Sequence, residues 1–300
     1  MTMARAGFSY LIAPGFRKIV FETYKERPIE GAIITNDNTS KRAYEEDFPI
    51  AGFGTLQSKP EGGNVAYQDA IQGAKKRYTW TTYGLAYRIT LEMYEDDLYG
   101  VMGGRMSKAL GRSARNNEEI IRHAPFNSAF DTTVNGFESG VSLCSTSHVT
   151  LRGLTIANRP TNDTDFGLIP LQAAIEAFST LTDESGIPAL FIPRRVIYSP
   201  TDHWIVNAVL KSQFLPGTNQ NDINQVNNEG LVPHQSHYLT GTLGPWFVQG
   251  DQHDVNYFDR RPFVFSNFDD FDTGDAKFKG TRRNGSGFGD WRGMYGSPGV

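Results

Sequence analysis

The sequence predicts a mixed α+β fold, and two observations carry that expectation. From Tyr78 a run of aromatic and β-branched residues sets Tyr83, Leu85, Tyr87 and Ile89 on one side of a period-2 pattern, a long strand exposed at first and then buried. It leads without a loop into a segment where Leu98, Met102, Met106, Leu110 and Ala114 recur every four residues, with Val101, Ala109, Ile120 and Ile121 widening the stripe. At 1.5 Å per residue this helix would be roughly 45 Å long. The second observation is the C-terminal half, where helix-like and strand-like segments follow one another.

The long helix is the element the chain is organised around, yet Gly100, Gly103, Gly104 and Gly111 oppose it. Each glycine costs about 1 kcal/mol relative to Ala in a helix interior. Packing must therefore hold the segment, at places where other backbone comes close, or the helix bends there. Acids at its start (Glu92, Glu95, Asp96, Asp97) and later bases (Arg105, Lys108, Arg112, Arg115, Arg122) match the helix dipole, and Pro125 should stop or kink it.

Residues 1–50 alternate short apolar clusters with Pro14, Pro28 and a polar run, which reads as an extended arm with one short helix near residues 15–25. Residues 52–80 are rich in Gly, Gln and Lys. Two β-like limbs joined by a polar section would form a long projecting hairpin, marginal without a partner surface. Past the long helix, Val141–Cys144 is a short strand candidate and residues 151–167 a loop. A helix follows with Leu171, Ala174, Ile175 and Phe178 on one face, then a proline-bounded strand, then a helix capped by Thr201 or Asp202. HYLTGTLGPWFVQG and NYFDRRPFVFSNF supply closing strands, and Phe278, Phe288, Trp291 and Tyr295 give the Gly- and Arg-rich tail something to pack.

Composition narrows the function classes. The 300 residues suffice for one or two domains, and 39% hydrophobic with 21% charged residues describes a folded chain. A net charge of -4 leaves no basic footprint for gripping nucleic acid, and the single Cys144 excludes an intrachain disulfide. No apolar run approaches the ~20 residues of a membrane span. His234, His237, Asp251, His253 and Asp254 have no helix to support metal-ligand spacing. The acidic run Asp269–Asp275 lacks the glycine and glutamate of a calcium loop. Cys144 and His148 are sequence neighbours on a strand-like segment, a poor nucleophile–base pair. No cofactor and no enzyme chemistry is expected.

Several segments together resemble a known family. FGTLQSKPEGGNVAYQDAIQGAKKRYTWTTYGLAYRIT looks like an extended loop, and TLEMYEDDLYG is similar to the lead-in to a spine helix. LCSTSH with the Asn-rich loop after it, HYLTGT with PWFV, and the late GDWRG complete the order. The chain resembles the major capsid proteins of tailed phages, with the Hong Kong 97 fold, and especially the Mu-like major head subunits. That resemblance implies an N-terminal arm (1–50) and an extended loop (51–90). It also implies a peripheral domain with the spine helix and tail (91–150 and 251–300) and an axial domain (151–250). It implies pentamers and hexamers in an icosahedral shell around DNA, assembled in the host cytoplasm and localised to the virion. Portal, a separate scaffold and a decoration protein are the implied partners, with only weak contact to DNA and none to membrane. No charged scaffolding segment is read at the N-terminus, consistent with a separate scaffold or a matured chain.

Lys75, Lys76, Arg77 and Trp80 are candidate intersubunit contacts, facing Glu92, Glu95, Asp96 and Asp97 of a neighbour. A merely solvated hairpin is the competing reading, and relatives that form lysine–asparagine crosslinks leave the role of Lys75 and Lys76 open. Arg282, Arg283 and Arg292 lie among aromatic residues and are expected in protein contacts rather than on DNA. From another functional class, an α+β hydrolase or carbohydrate-binding protein with a loop-built site is the alternative. Size exclusion separates the two: capsomers or shells against a monomer stabilised by ligand.

Overall fold

A computed structural model describes residues 8–96, 101–214, 223–241, 243–270 and 272–300. In chain order the helices are α1 (Phe8–Tyr24), α2 (Leu91–Glu95), α3 (Val101–Asn127), α4 (Leu168–Thr180) and α5 (His203–Lys211). The strands before α2 are β1 (Asn36–Thr39), β2 (Tyr44–Asp47), β3 (Ile50–Ala51), β4 (Ile71–Gln72), β5 (Lys76–Thr79) and β6 (Thr81–Ile89). Those after α3 are β7 (His148–Val149), β8 (Thr155–Ile156), β9 (Pro193–Tyr198), β10 (Val232–Gln235), β11 (Trp246–Gly250), β12 (Val255–Asp269), β13 (Ala276–Phe288) and β14 (Met294–Ser297). The chain divides into two compact units.

The first unit comprises Met1–Glu45, Thr79–Arg122 and Tyr257–Ser286. Its sheet has the order β1-β12-β13-β6, and β13 runs antiparallel to β6 from Ala276↔Ile89 to Asn284↔Thr81. Val20, Ile89, Leu110, Phe265, Ala276 and Phe278 form its core, with Phe278 stacked on Tyr87 and edge-on to Phe16. The expected exposure gradient along β6 is present: Leu85 is 54% exposed and Ile89 3%.

Three expectations need correction here. The helix expected near residues 15–25 is not a short one, because α1 spans 17 residues, and Val20 and Ile34 are fully buried. The α3 stripe is placed only in part: Leu110, Ala114 and Ile121 are buried and Met106 packs against the core as expected. Val101, Met102 and Ile120 are exposed, while Gly103, Ser107, Leu110, Gly111, Ala114 and Ile121 are buried. The contact face uses small residues because α1 lies against it: a Cβ on Gly111 would sit 2.6 Å from the carbonyl oxygen of Val20. Gly111 is thus where backbone meets backbone and Gly103 lies under the Phe16 ring, and periodicity of large side chains misses both. Finally, β6 does lead into a helix without a loop, with Thr90 capping α2 by accepting from the Met93 amide, but that helix is short and has Asp96 as its C-cap. Of the expected dipole match, Glu92 lies in the first turn of α2, while α3 has no acid in its first turn and no base in its last. Asp97 and Leu98 lie outside the described residues.

Pro125 does not stop α3, which runs on to Asn127. A proline leaves the carbonyl four residues earlier without its amide partner. That carbonyl belongs to Ile121 and accepts instead from the Ser286 hydroxyl at 2.6 Å.

The second unit comprises Glu46–Tyr78, His123–Asn256 and Gly287–Val300. Its sheet has the order β10-β9-β11-β14, with β10 parallel to β9 and β11 antiparallel to both β9 and β14. All five residues of β11 are buried, as a strand covered on both faces requires. Leu171, Ala174 and Phe178 of α4 and Val206, Val209 and Leu210 of α5 are buried as well. Neither Val141–Cys144 nor residues 237–241 form a strand, and Thr242 lies outside the described residues. Leu143 and Cys144 are fully buried all the same, tied by Cys144 N–H to the Ala129 carbonyl (2.8 Å) and by the Asn158 amide to the Leu143 carbonyl (2.8 Å). The α5 cap also differs from expectation: Asp202 makes no capping bond, and the Ser199 hydroxyl caps the short 3-10 turn Pro200–Asp202 instead.

Candidate assembly interface

The hairpin is built at its base and left bare at its tip. Strand β2 pairs with β5 and β3 with β4. The Gly73 amide donates to the Pro49 carbonyl (2.9 Å), and Ser185 and Arg152 both donate to the Gly52 carbonyl, at 3.0 and 3.2 Å. Between Phe53 and Ala70 no strand forms, and one bond from the Gly54 amide to Gln68 Oε1 (2.7 Å) crosses the tip. Leu56 is 101% exposed, Tyr67 96%, Phe53 64% and Val65 63%. Burying such side chains is worth about 1.5–3 kcal/mol each, a gain the subunit leaves unused. Reasoning on the Gly, Gln and Lys content overlooked these four residues, although their isolation in a polar segment was visible.

The basic cluster at the hairpin base splits into three environments. Arg77 Nη2 and Lys75 Nζ share one carboxylate, Glu46, at 2.6 and 4.0 Å. Lys76 is half-buried, donates to the Asn135 carbonyl and lies over Phe288, and burial lowers its pKa. Trp80 is buried within the first unit, donating Nε1–H to the Arg42 carbonyl (3.0 Å) and packing on Phe258. Of the acids, Glu92, Glu95 and Asp96 are exposed, and Asp97 lies outside the described residues. Within the chain, the bases of the hairpin therefore meet Glu46 and a carbonyl.

Sequence also missed a buried ionic network in the first unit. Glu118 accepts from Arg282 Nη1 (2.7 Å), from Arg122 Nε and Nη2 (3.1 and 3.0 Å) and from the Tyr24 hydroxyl. Arg282 also donates to Tyr257 Oη (2.6 Å), and Arg122 lies 3.8 Å over the Tyr257 ring. Burial alone would raise the Glu118 carboxyl, but Arg282, Tyr24 and Arg122 outweigh it and hold the pKa below its ordinary value. Burial and then Glu118 push the Tyr24 hydroxyl up to about 12. Arg122, read only as one of the bases along the helix, is 5% exposed.

Arg282 is thus a protein contact, as is Arg292 of the second unit, which binds Glu184 (2.7 Å) and the Thr182 carbonyl (2.9 Å). The other polar clusters have structural partners too. The acidic run after β12 forms the turn into β13, with Lys277 on Asp270. Asp254 accepts from the Asp290 amide (2.8 Å), and burial followed by Arg195 lowers the His253 pKa to about 4. Among the described residues no three of His, Cys, Asp and Glu stand together as a metal site.

The phage capsid protein family matches residues 73–297, well over half of the chain. The chain belongs to that family. No curated protein matches the capsid protein in sequence. Its fold is shared with solved shells at low identity. The capsid of cyanophage P-SCSP1u matches with TM-score 0.58 and 12% identity, over 88% of this chain and 85% of that one. The procapsid of bacteriophage JBD30 matches with TM-score 0.53 and 14% identity, over 98% and 76%. The virus-like particle from Pyrococcus furiosus matches with TM-score 0.54 and 8% identity, over 95% and 98%. The capsid protein therefore has the α+β capsid fold of the Hong Kong 97 type. It is a shell component of the virion that associates with itself, a structural protein and not an enzyme.

Proposed function

We propose that this major capsid protein assembles as pentamers and hexamers into an icosahedral head shell enclosing phage DNA, and that it belongs with the Mu-like major head subunits. In this reading residues 1–50 are the arm, 51–90 the extended loop, 91–150 with 251–300 the peripheral domain, and 151–250 the axial domain. Portal, a separate scaffold and a decoration protein are its partners, and assembly takes place in the host cytoplasm. The observation that carries the proposal is the hairpin tip, whose Leu56 and Tyr67 are almost wholly exposed and gain burial only from a neighbouring subunit.

Beside Glu46 the Lys75 and Arg77 side chains remain 59% and 56% exposed, within reach of a neighbour. We assign Lys75 and Arg77 to the exposed acids Glu92, Glu95 and Asp96, and to Asp97, of the adjacent subunit. Exposed pairs of this kind give only about 0–1 kcal/mol each but set register across many copies. Deleting residues 60–75 should leave a soluble, folded subunit that forms no closed shell. Normal particles from that deletion would refute the proposal.

A further inference from the structure

The hairpin is broken near its base. Strand β2 ends at Asp47 and its partner β5 begins at Lys76, while pairing of β3 with β4 resumes at Ile50 opposite Gln72. Between the two ladders one limb carries Pro49, which has no amide to donate, and the other Gly73, whose amide reaches the Pro49 carbonyl (2.9 Å). A Cβ on Gly73 would sit 2.7 Å from Pro49 Cγ, so no side chain of Gly73 braces the break. A two-residue ladder beyond such a break is too short to set its own direction. The direction must come from outside the hairpin.

Two tight turns of the same unit supply it, and both act on one atom. The Gly52 carbonyl, the last before the bare tip, accepts from the Ser185 hydroxyl (3.0 Å) and from Arg152 Nη2 (3.2 Å). Ser185 lies in a turn fastened by the Asp183 carboxylate, which accepts from the Ser185 and Ile187 amides (2.7 and 2.9 Å). Arg152 lies in the turn between β7 and β8. Glu184 joins the two turns. One of its oxygens accepts from the Leu151 amide (2.6 Å), next to Arg152, and the other from Arg292 Nη1 (2.7 Å). Arg292 is fixed in turn on the Thr182 carbonyl (2.9 Å), and its side chain is 4% exposed.

We propose that Ser185 and Arg152 latch the hairpin just beyond its break, and that Glu184 is the positioning residue that keeps both donors aimed at Gly52. The consequence for assembly rests on the hairpin acting between subunits. A latched hairpin presents its tip in one pose. A free one adopts that pose only part of the time, and association weakens by that fraction.

The test reads the pose directly in the unassembled full chain. Spin labels are placed at Lys59→Cys on the tip and at Glu176→Cys on the exposed face of α4, while the native Cys144 is fully buried and stays unlabelled. The otherwise native chain should give one narrow distance distribution. The double variant Arg152→Ala, Ser185→Ala should give a broad one with an unchanged melting curve. In assembly followed by light scattering, that variant without labels should raise the critical concentration about tenfold, equivalent to about 1.4 kcal/mol. Glu184→Gln alone should act in the same direction, yet cost less than about twofold where both donors are already absent. A native distribution as broad as that of the double variant would overturn the proposal. So would assembly of the double variant at the wild-type concentration, or an equal cost of Glu184→Gln in both backgrounds. Deleting residues 60–75 tests the hairpin reading separately: shells from the deletion would refute that reading, while the distance distribution still decides the latch.

Discussion

Two glycines on one helix should respond to alanine with opposite signs. Gly104 and Gly111 both lie in the interior of α3, where alanine is favoured by about 1 kcal/mol. At Gly104 an added Cβ would meet only Ile19 Cδ1 at 4.0 Å, so Gly104→Ala should gain about 0.5–1 kcal/mol. At Gly111 the same atom would sit 2.6 Å from the Val20 carbonyl oxygen and 3.2 Å from Thr23 Cβ. Backbone cannot rotate out of the way, so α1 must move off α3. Overpacking costs about 1–3 kcal/mol, against the same gain of about 1, which leaves Gly111→Ala destabilised by about 1–2 kcal/mol. For a unit of this size each kcal/mol moves Tm by about 2–4 °C. Calorimetry of the unassembled subunits should place the two variants on either side of wild type. Stabilisation by Gly111→Ala equal to that of Gly104→Ala would refute the close approach of α1 to α3.

Other outcomes follow from the same packing. Leu110, 2% exposed, lies in the core of the first unit, so Leu110→Asp should cost several kcal/mol and the soluble fraction, while Arg112→Glu on the exposed face should leave the melting curve unchanged. Removing the Glu118 charge leaves Arg122 and Arg282 buried without it, and Glu118→Gln should cost about 3–5 kcal/mol in a denaturant titration. Tyr24 has a folded-state pKa of about 12 against 10.0 ordinarily, so its contribution is full below pH 10 and is lost as pH rises to 12. Tyr24→Phe should lose less stability than wild type across that window, and equal losses would contradict the network. Empty shells should bind duplex DNA weakly with a shallow salt slope, because Arg282 and Arg292 are committed to carboxylates. Submicromolar binding at physiological salt that disappears in an Arg282→Ala, Arg283→Ala variant would contradict this.

Elements whose own residues state their environment were legible in the sequence. The period-2 pattern of β6, the apolar face of α4 and the turn-rich, Gly- and Lys-bearing hairpin were all readable because local pattern decides them. What depended on distant partners was not. Helix α3 continues past Pro125 because of a serine that comes much later in the chain, and no window around the proline contains Ser286. Beside Leu110 and Ile121, the contact face of α3 includes Gly103, Ser107, Gly111 and Ala114, and hydrophobic periodicity weights those small residues least. Arg282 was expected in protein contacts, but its partners and those of Arg122 were not legible because Glu118, Tyr24 and Tyr257 meet them only in the fold. At the hairpin the order of importance was reversed: the charges drew notice, whereas the exposed Leu56 and Tyr67 carry the larger unused burial.

The central claim is that the hairpin tip is an intersubunit element, and a cryo-electron microscopy reconstruction of assembled particles tests it most directly. The account predicts closed shells in which residues 53–70 of every subunit lie against a neighbour, with Leu56 and Tyr67 covered. Closed shells whose hairpin tips stand free in solvent would contradict it.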